Sequence, residues 1–142
     1  MISIGQLTVA SEAALKDISI LIHQLSPRLP NCSIELLEQI ITDSNLELWV
    51  AKDDGRIVGM ATLAIVMIPE GRRGQLEDIV VDETYRGKGL GEQLSKKLIE
   101  RARERKISVV TLSSRADRVA ANNLYQKLGF EKRQTNVYRL EL

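Results

Sequence analysis

The chain is poor in the residues that build cross-links, metal sites and membrane spans. It has one cysteine, Cys32, which excludes an internal disulfide and fits a reducing cytoplasm. It has one histidine, His23, following Ile22 in a helical pattern. A Ser-His-Asp relay would have to use it, and no nucleophile-elbow sequence accompanies it. With no second cysteine and one distant histidine, no metal-ligand spacing is present. The longest apolar run, Ile57 to Ile68, contains Gly59 and Thr62 and is too short to span a bilayer. The first five residues lack the positive segment and apolar stretch of a signal peptide. Charge of neither sign dominates: the formal net charge is +1, so no global field draws the chain to nucleic acid or an anionic membrane. These absences lead us to expect a soluble, cytoplasmic protein with no metal, nucleic-acid or membrane role.

What is present suits one packed domain over residues 1–142, with 44% apolar and 27% charged residues. Ile2 to Val9 alternates as a first strand. Ser11 caps a helix carrying Leu15, Ile18, Leu21, Ile22 and Leu25, which Pro27 and Pro30 stop. Ser33 caps a second helix with Ile34, Leu37, Ile40 and Ile41 on one face. Leu46 to Lys52 and Ile57 to Ile68 read as a hairpin about Asp54-Gly55, the second strand apolar on both faces and so central. Pro69 to Gly74 reads as a loop and Gln75 to Val81 as a strand. A glycine loop follows, then a helix to Arg105 with the stripe Leu90, Leu94, Leu98 and Ala102. Ile107 to Leu112 reads as a strand, and Asp117 to Leu128 as a helix stopped by Gly129. Two short strands are expected between Phe130 and Leu140. The order β-α-α-β-β-β-α-β-α-β-β is a mixed α/β layer structure.

Gly87, Gly89 and Gly91 stand between a strand and a helix. A helix N-terminus presents unpaired N–H groups and partial positive charge, and glycines let an anion approach the backbone. The arrangement is a phosphate site in the making. Glu92 occupies the third glycine position of the dinucleotide fingerprint. Asp82 replaces the first glycine of the P-loop, and Gly89 rather than Ser or Thr follows Lys88, so both common nucleotide motifs fail.

The segment Arg86-Gly87-Lys88-Gly89-Leu90-Gly91, after the strand ending in Val81, resembles the signature of the GNAT superfamily of N-acetyltransferases. A second motif, Ala121-Asn122-Asn123-Leu124-Tyr125-Gln126-Lys127-Leu128-Gly129-Phe130, resembles that family's C-terminal helix. The run Gly74 to Val81 also bears a short likeness to the glucosamine-phosphate acetyltransferases. The resemblance implies a GNAT fold: a mixed, mostly antiparallel sheet of six to seven strands flanked by about four helices. It implies acetyl-CoA as co-substrate, bound by Ile79, Val80, Val81, Arg86, Gly87, Lys88, Gly89, Leu90, Gly91 and Glu92. Many relatives carry an asparagine where this chain has Arg118, which reads either as a residue that retunes contacts to the cofactor or as a solvated helix residue, with Asn122 one turn later to reach the cofactor instead. The acceptor would be a small-molecule amine or a protein or peptide amine, held by Ser26 to Ser33 and Lys132 to Tyr138. Arg28, Arg133, Tyr138 and Arg139 are candidate contacts there, and a homodimer is expected from the way late strands pair in the family.

The implied reaction is attack by an amine on a thioester. Deprotonating an alkylamine at pH 7 costs about 4.6 kcal/mol, which a positioned base must offset. Glu77, on the strand entering the site, is the candidate base, with Asp78 beside it on the opposite face or a water chain as the alternatives and one of the two carboxylates then structural. Tyr125 is the candidate acid toward the departing sulfur, since a phenol and a thiol are close in acidity. A coenzyme A-binding module without turnover is the alternative the same residues allow. Trp49 reads as core, and Arg72-Arg73 as a solvated hairpin tip.

Overall fold

Turn chemistry and alternation set the sheet. In the computed structural model, which describes residues 1–142, β1 (Ile2–Gln6), β2 (Leu46–Asp53), β3 (Arg56–Ile68), β4 (Gly71–Val81) and β5 (Val110–Thr111) lie side by side in that order. The first four pair antiparallel, and β5 joins β4 in parallel at Gly74 and Gln75. The β2–β3 hairpin turns on Asp54 and Gly55, whose φ values of 48° and 81° are the pair of positive dihedrals a type I′ turn requires. Four helices flank the sheet: α1 (Glu12–Leu25), α2 (Ile34–Thr42), α3 (Leu90–Glu104) and α4 (Val119–Lys127). Ser11 and Ser33 cap α1 and α2 as expected, accepting from the N–H groups of Ala14 and Leu36 at 3.1 Å.

The two faces of the sheet have separate cores. Leu90, Leu94, Leu98 and Ala102 of α3 pack with Ala61, Leu63 and Leu76 on one face. Ile18, Leu21 and Leu37 of α1 and α2 cover Leu48, Val50 and Met60 on the other. Covering on both sides explains the unbroken apolar run of β3.

A buried ion cluster fixes the angle of α3 on the sheet. The Glu47 carboxylate accepts from Arg101 at 2.8 and 3.0 Å, from Arg105 at 3.1 Å and from the Trp49 indole at 2.9 Å. Trp49 is half-buried, and Lys97 and Arg101 lie over its ring. Because α3 is one rigid helix, anchoring its C-terminal half also sets the direction of its N-terminus.

The structure departs from the sequence reading at several boundaries. β4 begins at Gly71, so the loop expected over Pro69 to Gly74 shrinks to a two-residue turn. The strand expected over Ile107 to Leu112 keeps two residues, because only Gly74 and Gln75 offer it a partner. The sheet has five strands rather than six or seven, because the two late strands between Phe130 and Leu140 do not form. A two-residue β5 offers too short an edge for them to extend, and the turn Lys132 to Thr135 carries no glycine or proline. Val137, Tyr138 and Leu140 accordingly lie exposed.

Candidate active site

The site opens where β4 parts from β5. Beyond Gln75, β4 has no strand neighbour on that side. A bulge marks the parting: Met60 pairs with Val80 and Thr62 with Glu77, which leaves Asp78 and Ile79 opposite the single residue Ala61, with Asp78 at φ 50°. Two arginines satisfy carbonyls on the open edge. Arg86 Nε donates to Val81 O at 3.0 Å, and Arg118 donates to Ile79 O at 3.4 Å. The Asp82 N–H donates to Val58 O on β3, so alternation turns the Val81 N–H away from β3 toward the gap.

The glycine loop follows directly and is held from several sides. Asp82 is buried; it accepts from Thr84 N and Oγ1 at 2.9 and 2.7 Å and from Arg56 at 3.1 Å. Those bonds, led by the Thr84 hydroxyl, hold the Asp82 carboxyl below the usual carboxylate range. Gln24 of α1 accepts from the Glu83 N–H at 2.9 Å. The Tyr85 hydroxyl donates to Asp53 at 2.6 Å, and Lys88 lies 5.0 Å over the Tyr85 ring. The sequence reading missed this clamp, although Asp82-Glu83-Thr84 is an Asx-turn pattern that signals it.

Gly87 and Gly89 both adopt φ 79°, a left-handed conformation that L side chains adopt at a cost of about 1 kcal/mol or more. A Cβ at either would meet no protein atom within 4 Å, so both backbones face open space. None of the N–H groups of Gly87, Lys88 and Gly89 donates to a protein oxygen. The unpaired N–H groups of the first turn of α3 lie next to them.

Loop, strand gap and α4 together enclose a cleft of about 560 Å³. Ile79, Val80, Val81, Arg86, Gly87, Gly89, Leu90, Gly91 and Glu92, expected at the cofactor, all line it. Glu92 pairs with Lys127 and Lys96 at 3.2 Å each, tying α3 to α4. Lys88 is not on the wall. Asn122 is not either: its amide donates to the carbonyls of Arg115 and Arg118 at 2.9 and 2.8 Å, bracing the loop before α4. Tyr125 lines the cleft while its ring packs edge-on to Phe130 at 6.0 Å, so it belongs to core and site together. Burial pushes the Tyr125 hydroxyl pKa up, and the facing Arg118 guanidinium opposes that rise. Of the two expectations for Arg118, the solvated helix position fails: it is a half-buried residue of the cleft wall.

The two candidate carboxylates occupy different settings. Glu77 is exposed, outside the cleft wall, and accepts from Gln75 at 2.6 Å. Asp78 is exposed as well, but stands at the bulge, where partial desolvation raises its pKa. The late residues Arg133, Tyr138 and Arg139 are exposed and line none of the cleft, as is Arg28. Exposed His23 and half-buried Cys32 are also absent from its wall. No group of three or more His, Cys, Asp or Glu is placed to hold a metal ion, and no helix is long and apolar enough to cross a membrane.

Residues 15–130 match the acetyltransferase (GNAT) family. The chain belongs to that family. An acetyltransferase of Trypanosoma brucei superposes with a TM-score of 0.81 at 30% identity, all of each chain being covered. Human N-acetylaspartate synthetase is 39% identical over 82 residues, 58% of this chain and 26% of that protein. The L-methionine sulfoximine/L-methionine sulfone acetyltransferase of Pseudomonas aeruginosa is 38% identical over 86 residues, 59% of this chain and 50% of that protein. The chain thus spans between about a quarter and a half of the length of these two curated relatives. GNAT acetyltransferases use acetyl-CoA, and the cleft suits it: free N–H groups and open glycine backbone for a diphosphate, then a splayed strand edge for an amide-bearing arm.

Proposed function

We propose that this GNAT protein transfers the acetyl group of acetyl-CoA directly to a primary amine, both substrates being bound at once. The observation that carries the reading is the continuity of one cleft from the unpaired N–H groups of Gly87 to Gly89, past the open edge of β4, to the Tyr125 hydroxyl. Diphosphate at the loop and thioester beside Ile79 to Val81 places the sulfur near Tyr125. The Val81 N–H then faces the arm, and such backbone donors contribute about 3 kcal/mol to transition-state stability where they meet a developing oxyanion. Tyr125 protonates the departing thiolate. Glu77 takes the amine proton, through water, from the α1–α2 face of the sheet. Asp78 is the second reading for that role, because partial desolvation at the bulge raises its affinity for a proton.

For the acceptor, we favour a free amino acid among small-molecule and peptide amines. Two relatives carry N-acetylaspartate and methionine sulfoximine in their names, and Arg115, beside the last turn of α1, adds positive charge to the cleft. The test is a panel of amines scored by free thiol released from acetyl-CoA. Release with amino acids supports the reading; tight coenzyme A binding with no release on any amine supports a silent sensor instead.

Glu77→Gln is expected to slow transfer mainly at low pH, where the amine is protonated and needs a base, and little at high pH. Asp78→Asn run alongside decides between the carboxylates. The variant whose loss of rate is confined to the acidic limb identifies the base, and an unaltered profile in Glu77→Gln removes Glu77.

A further inference from the structure

Four charged side chains line the cleft: Arg86, Glu92, Arg115 and Arg118. Three are engaged elsewhere. Arg86 is bound to the Val81 carbonyl, Glu92 to Lys96 and Lys127, and Arg115 to the Leu25 carbonyl at 3.4 Å and loosely to Asp117 at 3.7 Å. Arg118, like Arg86, has no carboxylate partner, but Arg86 is exposed and Arg118 is half-buried. Its one hydrogen bond, at 3.4 Å, goes to a neutral carbonyl, Ile79 O, and it faces the Tyr125 hydroxyl. A half-buried guanidinium without an anion is costly to hold, and the cost is recovered only when negative charge arrives beside it. The loop that would hold the diphosphate has its own donors, the N–H groups of residues 87 to 89. The charge left for Arg118 is the one that forms deep in the cleft, next to Tyr125.

Resting on the acetyltransferase reading above, we infer that Arg118 stabilises the coenzyme A thiolate and the Tyr125 phenolate as the acetyl group departs. In that step the amine nitrogen forms a bond to the acetyl carbon, the C–S bond breaks, and its electron pair stays on sulfur. The Tyr125 proton passes to sulfur, leaving the phenolate, which recovers a proton from solvent. The negative charge moves from sulfur to phenol oxygen without leaving the reach of one guanidinium. No other cation takes this place: Arg115 points to α1, Arg86 to Val81, and Lys88 lies over Tyr85. On the strand side the charged groups are Asp78 and Glu77, and on α3 the paired Glu92, all of which would oppose an anion rather than favour it.

The test is a pH titration of the ultraviolet absorbance of the thiolate in coenzyme A bound to the whole protein, compared with free coenzyme A. The bound thiol is expected to ionise about 1–3 units lower than the free one, the usual effect of an opposite charge within a few ångströms. Arg118→Asn is expected to abolish most of that displacement while coenzyme A still binds, and Arg118→Lys to keep part of it. An undisplaced thiol in the wild type, or an equal displacement in Arg118→Asn, overturns the inference. Loss of coenzyme A binding in Arg118→Asn also overturns it, since Arg118 would then serve binding of the ground state. Failure of the wild type to bind coenzyme A strikes the acetyltransferase reading itself, a different result.

Discussion

Replacing Tyr125 by phenylalanine is expected to lower turnover about 100-fold or more, with coenzyme A affinity and folding close to wild type. The change removes one oxygen and keeps the ring. That ring is buried against Phe130 and α3, so its packing, which dominates its contribution to stability, survives. The hydroxyl gives the departing sulfur its proton, and a positioned acid is worth about 10²–10⁴-fold in rate. Single-turnover rates and thermal unfolding on the same preparation separate the effects. A folded variant with turnover within about twofold of wild type would reduce Tyr125 to a core residue.

Glu47→Gln is expected to cost about 3 kcal/mol of stability at neutral pH and to lower the melting temperature by about 10 °C. Burial alone would push the Glu47 carboxyl up, but hydrogen bonds from Arg101, Trp49 and Arg105 outweigh it and hold the pKa at about 2. A carboxylate depressed in the folded state stabilises fully above its unfolded pKa of about 4.3 and loses that contribution as pH falls. The wild-type advantage over Glu47→Gln should therefore be constant above about pH 5 and shrink progressively toward pH 2. A pH-independent difference would mean that the two proteins differ in packing, not in charge. Because Glu47 anchors α3, whose other end carries the glycine loop, coenzyme A affinity is expected to weaken with it.

How far the sequence speaks depends on how local each feature is. The caps at Ser11 and Ser33, the turn at Asp54-Gly55, the stripe of α3 and the glycine loop all arise from residues within one or two turns of each other. Each is where the sequence puts it. β5 and the two late strands depend on what edge the rest of the sheet presents, and that edge is two residues long. No local pattern carries the information. The same holds for side chains whose partners are remote in sequence. Glu47 is an alternating strand residue until Arg101 and Arg105 are laid over it, and Arg118 looks solvated until α4 brings it to Ile79. Asn122 shows the converse: expected at the cofactor by its spacing, it is occupied by two carbonyls of its own loop.

Everything in the site follows from backbone N–H groups at the start of α3 gripping a diphosphate. The direct measurement is titration of coenzyme A into isotope-labelled protein with the amide resonances followed by NMR. Large shifts at Gly87, Lys88, Gly89 and Val81, saturating together, are predicted. Resonances of that segment left unmoved at high coenzyme A concentration would contradict the assignment.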